Sequence, residues 1–124
     1  MGPVQLNENT TRYLFQKGLF SKTKGIVKTG AFIPNEGKVS VFRIKGLKEK
    51  QIWEIGEKVG LSRKPSLKGR GDIIVNEIID ENLEVVPDTS THERHADISG
   101  WPDDYSSQQL IASKLALKSS LHLL

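Results

Sequence analysis

Between Thr89 and Asp104 the chain reads TSTHERHADISGWPDD. Two of its three histidines, His92 and His95, fall here with Glu93, Arg94, Asp97 and Trp101. Imidazole is the side chain whose ordinary pKa lies nearest neutrality, so His92 and His95 beside Glu93 and Asp97 could act as general acid and base. Arg94 could hold a phosphate or carboxylate in a two-pronged contact. The candidate catalytic set is therefore His92, Arg94, His95 and Asp97, acting on a phosphorylated or nucleotide substrate. No motif fixes the reaction: the chain contains no G-x-S-x-G elbow, P-loop, G-x-G-x-x-G or H-x-E pattern. A plainer reading has His92 closing a turn at Asp88 and Thr89 while His95 hydrogen-bonds across a sheet.

His95 and Asp97, two apart on a strand, share a face and could reach one ion, with His92 or His122 as a further ligand. Iron sites of that kind sit on double-sheet barrels, for which this chain has too few strands. The sequence accordingly assigns no metal and no cofactor.

A second constellation is cationic. Arg63, Lys64, Lys68 and Arg70 lie in LSRKPSLKGRGD among Pro65, Gly69 and Gly71, and form the candidate anion-binding set. If Asp72 opens a helix, the amides of its first turn could cradle a phosphate; the charge alone could grip a nucleic-acid backbone. Lys17, Lys22, Lys24 and Lys28, interleaved with Phe15 and Phe20, resemble the basic-plus-aromatic pattern of single-strand binders. A solvated basic face is the bland alternative.

The elements that must position these residues are modest. With 124 residues the chain suits one domain, residues 1–124, able to bury a core without metal or disulfide staples. Hydrophobic content of 36% and charged content of 27% are those of a globular protein. Having no cysteine, it can form no disulfide, thiolate nucleophile or cysteine-bound zinc site. The absence of a long apolar run and of a signal-peptide layout at the start gives a cytoplasmic expectation, with no membrane partner. The net charge of +3 conceals an asymmetry: residues 1–72 carry 15 Lys and Arg against 6 Asp and Glu, residues 73–124 only 3 against 9. Such a distribution can create a basic face that attracts phosphates, unless the halves interleave in space.

Along the chain, residues 1–11 and 120–124 are expected to be loose. RYLFQKGLF could be strand or helix and is read as strand; further strands are expected at Ile26-Val27, from Lys38 to Ile44, in LEVVPD and in RHADISGW. Val39 and Val41 face one side of the third of these, Phe42 and Ile44 the other, as in a central strand. Ile52, Ile55, Gly56 and Val59 predict a helix over 48–59, with Trp53 as a core anchor and Gly60 as a left-handed stop. Asp72 is read as the N-cap of a helix in IIVNEIIDEN, although the run Ile73-Ile74-Val75 argues for a strand. After the corner Gly100-Trp101-Pro102, a last helix near 106–119 carries Leu110, Ile111, Leu115 and Ala116, with Asp103, Asp104 and Ser106 at its start. These elements give an α+β class: a small mixed or antiparallel sheet packed by two or three helices.

The succession VKTGAFIP, VSVFRIKGL, IWEIG, GRGDI, LEVVPD, HERHADISGWP and IASKLA resembles a group of small bacterial proteins of undetermined function. The resemblance implies a stand-alone bacterial domain. No activity is established for that group, so no site residue passes to this sequence.

Three functional expectations follow. The first is binding of an anionic partner, either nucleic acid or a phosphorylated small molecule. The second is an enzyme centred on His92, Arg94 and His95. The third is an accessory domain whose protein partner covers an apolar or acidic surface.

Overall fold

The computed structural model describes residues 1–62 and 65–124. Arg63 and Lys64, two of the four cations assigned to anion binding, lie outside the described residues.

Val39 and Val41 leave one side of β4 (Val39–Arg43) and Phe42 leaves the other, and all three are buried. That two-sided burial puts β4 inside a six-stranded sheet with β1 (Asn9–Leu14), β5 (Gly69–Ile74), β6 (Glu84–Pro87), β7 (His95–Ser99) and β8 (Ser120–Leu123). The spatial order is β6-β7-β4-β1-β5-β8, and every neighbouring pair is antiparallel. β2 (Phe20–Ser21) and β3 (Ile26–Val27) form a separate two-stranded ribbon. The class is α+β, with an antiparallel sheet and three helices: α1 (Glu49–Val59), α2 (Val75–Ile79) and α3 (Tyr105–Lys118).

The strand alternation sorts the side chains into two cores. Leu14, Val41, Ile73, Ala96 and Ile98 face α2, α3 and the short turn Thr29–Phe32, and form the larger one. Tyr13, Phe15, Phe42 and Ile44 face the other way and pack with Ile52 of α1 and Leu67. A single helix cannot cover six strands, so the second face stays open on both sides of α1.

Several expectations change. Residues 9–11 are not loose but open a central strand, with Thr10 and Thr11 fully buried. The preceding segment is tied down because its carbonyls serve as helix caps: Val75 N donates to Glu8 O at 2.9 Å and Asn76 N to Leu6 O at 2.9 Å. These are the amides that no intrahelical partner reaches. Glu8 is buried with Arg43, whose Nε and Nη2 donate to its two carboxylate oxygens at 2.6 and 3.0 Å. At the other end, residues 120–123 are not loose either, because β8 pairs with β5 from Gly69↔Leu123 to Asp72↔Ser120. Gly69 makes that closeness possible, since a Cβ there would lie 2.8 Å from His122 O.

Asp72 caps no helix. The β-branched run prevails, β5 continues to Ile74, and Asp72 accepts from Thr11 Oγ1 at 2.7 Å across the sheet. Gly60 is right-handed, with φ −78° and ψ −8°, and continues α1 into a 3-10 turn rather than stopping it. On α3 the buried residues are Ala112, Leu115 and Ala116, while Leu110 is 60% exposed. Small residues four apart let α3 lie close to Thr29–Phe32, which rotates the larger Leu110 outward. Asp104 caps this helix, accepting from Ser107 N at 2.9 Å. Gly100 has φ +86°, and Trp101 Nε1 donates to Ile98 O at 3.0 Å, so the corner before α3 is fixed as the sequence suggests.

Candidate functional site

The open second face holds two groups of polar residues, one on each side of α1. Toward β7, the register Phe42↔His95 and Ser40↔Asp97 places all four side chains on that face. His95 is nine-tenths buried. Its Nδ1 lies 2.8 Å from the backbone carbonyl of Asp88, and its Nε2 meets the Ser40 hydroxyl. A carbonyl only accepts, so Nδ1 carries a proton and donates to it, while Nε2 faces the Ser40 hydroxyl. Asp97 Oδ1 is 3.6 Å from the same Nε2. The edge of His95 meets the Phe42 ring at 5.3 Å between centroids, and His92 meets it at 5.6 Å. Phe42 thus holds both imidazoles on one side.

His92 and His95 line one cavity of about 390 Å3 with Arg12, Ser40, Phe42 and Lys58. Both imidazoles border this one cavity, as an acid–base pair requires. Arg94 does not join them: its Nη1 donates to the carbonyls of Arg43 and Lys45, both at 3.1 Å, and closes the β4 end of the sheet. His92 has a structural duty as well, its Nδ1 accepting from Arg94 N at 3.0 Å in the turn before β7. A cation that does line the cavity is Arg12, which the sequence alone does not single out. β1 and β4 pair only at Thr10 and Thr11; beyond that point Arg12 enters the gap and donates to Ser40 O at 3.1 Å and Ala31 O at 2.9 Å. Ser40 and Lys58 were missed too, because only the sheet register and the seat of α1 bring them here.

On the far side of α1, Arg70 is 1% exposed and fully engaged. Its Nη1 and Nη2 donate to the two oxygens of Glu49 at 2.8 and 3.0 Å, its Nε to Asp72 Oδ1 at 3.0 Å, and its guanidinium carbon lies 4.6 Å from the centre of the Trp53 ring. Trp53 therefore both packs on the second core and covers an ion cluster whose Glu49 reaches solvent. Arg70 is withdrawn from the anion-binding set, since its charge already faces two carboxylates. Among the described residues no amide cradle lies beside it either, because β5 is paired with β1 and β8 on both sides. His122 stands 3.4 Å from Asp72 on β8, four strands from β7, or about 19 Å at the usual strand spacing. It cannot complete a site with His95.

Lys68 alone of the four predicted cations is described and free of acidic partners among the described residues. It lies on the approach to β5 and lines a concavity of about 600 Å3 with Lys17, Lys22, Phe20, Leu67 and Leu123. No Asp or Glu lines that concavity among the described residues. Lys17 sits on the 3-10 turn before β2, Lys22 on the turn after it, and Phe20 in β2 itself. The basic-plus-aromatic pattern at 17–22 is thus assembled in space with Lys68, which is distant in sequence. Phe15 belongs to the second core instead, and Lys24 and Lys28 are exposed elsewhere on the ribbon. Comparison with family models, curated proteins and solved structures finds no match to this chain. Among the described residues, no helix is long and apolar enough to cross a membrane.

Proposed function

We propose that the protein binds an anionic partner, a single-stranded nucleic acid or another phosphate-bearing ligand, at the concavity formed by Lys17, Lys22 and Lys68. The observation that carries this reading is one concavity lined by three lysines, two flanking β2 and one on the approach to β5, together with Phe20 and no carboxylate side chain on the described lining. Uncompensated ammonium groups attract phosphates, and an aromatic wall offers a base something to stack on. The remaining imbalance of the first 72 residues adds a favourable long-range field.

The test is a fluorescence titration with a short single-stranded oligonucleotide across a range of salt. Three neutralised phosphates predict a slope of log affinity on log salt of about −2. Reversal of Lys17, Lys22 and Lys68 to Glu should abolish binding and flatten that slope. Binding that survives the triple reversal would refute the assignment. Retention of inorganic phosphate or a mononucleotide in place of the oligonucleotide would identify the ligand as a small molecule.

A second reading rests on a different observation, the convergence of His92 and His95 in one cavity with Arg12 and Lys58. It is an acid–base enzyme acting on a phosphorylated or nucleotide substrate, with Arg12 in the place first given to Arg94. Turnover of such a substrate that vanishes in His95→Gln and survives Lys68→Glu would favour it over simple binding.

A further inference from the structure

On the second sheet face, β6 and β7 end in a cluster that shares only His95 with the second reading above. Asp88 follows β6 directly, and its amide donates to His95 O at 3.0 Å, which sets the Asp88 side chain beside His95. Asp97 lies two residues further along β7 on the same face. One ligand atom from each of Asp88, His95 and Asp97 falls within 4.8 Å of the others. Tetrahedral metal bonds of about 2.1 Å set ligand atoms about 3.4 Å apart. The three side chains therefore close on an ion with side-chain shifts of up to about an ångström.

The histidine is already set as a ligand. Metal-bound imidazoles characteristically donate their second nitrogen to a carboxylate or a backbone carbonyl, which fixes the tautomer and the ring plane. Here Nδ1–H donates to Asp88 O at 2.8 Å, so the lone pair on Nε2 points toward Ser40 and Asp97. Asp88 thus contributes twice, its carbonyl orienting the ring and its carboxylate joining the cluster. Ser90 steadies that carboxylate, its hydroxyl and amide donating to Oδ1 at 2.7 and 3.2 Å.

We propose that Asp88, His95 and Asp97 bind one divalent first-row cation, of the Zn2+ or Mn2+ type, with Ser40 Oγ as a neighbouring oxygen. One imidazole with two carboxylates suits these ions better than it suits Ca2+ or Mg2+, whose sites are built from oxygen alone. The two carboxylates neutralise the ion's charge, so no further anion is needed to hold it. His95 and Ser40 also line the cavity that contains His92, Arg12 and Lys58. A cation here borders that cavity and gives it a Lewis-acidic wall. The site is independent of the lysine concavity.

The test is calorimetric titration of the chelator-stripped full chain with Zn2+ and, separately, Mn2+. One saturable equivalent is expected, tighter for Zn2+ in keeping with the general affinity order. Asp88→Asn and Asp97→Asn should each weaken binding by about tenfold or more, as even losses around such ligands do. His122→Ala, on the opposite edge of the sheet, should leave binding unchanged. Mn2+ added to the unsubstituted protein should broaden the NMR signals of His95, Asp97 and Ser40 first, a readout that survives if a variant fails to fold. Absence of saturable binding of either ion, binding retained in the Asp88→Asn/Asp97→Asn double variant, or broadening centred on Asp72 and His122 would each overturn the assignment. Loss of oligonucleotide binding in the lysine variants has no bearing on any of these outcomes.

Discussion

Arg70 and Glu49 meet as a fork on a fork, Nη1 to Oε1 at 2.8 Å and Nη2 to Oε2 at 3.0 Å, and so fasten the start of α1 to β5. Asp72 holds the same guanidinium from below through Nε, and the Trp53 ring covers it. Together these contacts hold the guanidinium well in its charged form: burial acts against the charge, but the bonds to Glu49 and Asp72 override it. A residue whose sequence setting suggests a ligand contact is here an internal fastener.

Removing it should therefore cost stability and leave ligand affinity alone. Arg70→Ala leaves the partly buried Asp72 with only Thr11 and His122 beside it and should destabilise the fold by about 1–3 kcal/mol, the usual cost of leaving such a group short of its hydrogen bonds. Arg70→Lys keeps the charge but lacks the planar fork and should recover only part of that loss. Urea unfolding measures both. Oligonucleotide affinity per folded molecule should match the unsubstituted protein, and a drop in it would return Arg70 to the binding surface.

Gly56 predicts a second, less intuitive outcome. Alanine normally stabilises a helix interior by up to about 1 kcal/mol relative to glycine. In α1, however, a Cβ at this position would lie 2.5 and 2.7 Å from the Tyr13 ring and 2.9 Å from Leu67. Tyr13 cannot yield, because its hydroxyl donates to Ile52 O one turn earlier in the same helix and its ring is packed against Phe42. Gly56→Ala should thus destabilise by about 1–3 kcal/mol, the range for an overfilled core. A thermal melt at unchanged or higher midpoint would mean that α1 rides more loosely on the sheet than this packing implies.

Much of the architecture is legible in the sequence because it depends on local periodicity. The two-sided burial of β4, the helix over 48–59 and the inward faces of Ala96 and Ile98 all follow from spacing alone. The sites are less legible, because they depend on register. Ser40 stands opposite Asp97 only once β4 and β7 are paired, and Lys68 joins Lys17 and Lys22 only once β5 runs beside β1. The N-terminal segment misleads for a related reason: Leu6 and Glu8 are polar-flanked and locally featureless, yet their carbonyls finish a helix almost seventy residues away. Asp72 misleads because an N-cap and a strand residue before a β-branched run look alike until the sheet claims one of them.

Phe20 separates a nucleic-acid ligand from a small phosphate. Stacking on an aromatic ring contributes about 1–3 kcal/mol per base when measured by removal of the ring. Phe20→Leu keeps an apolar side chain against the main core and removes only the π-face. Oligonucleotide affinity should fall by that amount while its salt slope stays the same, because the three lysines still release the same counterions. Affinity for inorganic phosphate should not move. An oligonucleotide affinity indifferent to this change would leave the lysines as a phosphate site without base stacking.

The Glu8–Arg43 pair gives the fold a defined acid limit. Burial alone would raise the Glu8 carboxyl, but the bonds from Arg43 and from the Gln5 amide, with the Arg43 charge, hold it below its ordinary value of 4.5. The folded protein therefore keeps this group ionised at a pH where the unfolded chain has already taken up the proton. The stabilisation is complete above pH 4.5 and is lost as the pH falls through the lower folded value. Glu8→Gln lacks the negative charge, leaves the buried Arg43 uncompensated, and should be less stable by about 3–5 kcal/mol at neutral pH. The gap between the two proteins should narrow below pH 4.5 as the unsubstituted carboxyl protonates. Urea unfolding of both proteins across pH 7 to 3 reads that gap directly, and a difference that stays constant over the whole range would show that Arg43 does not depress the Glu8 carboxyl.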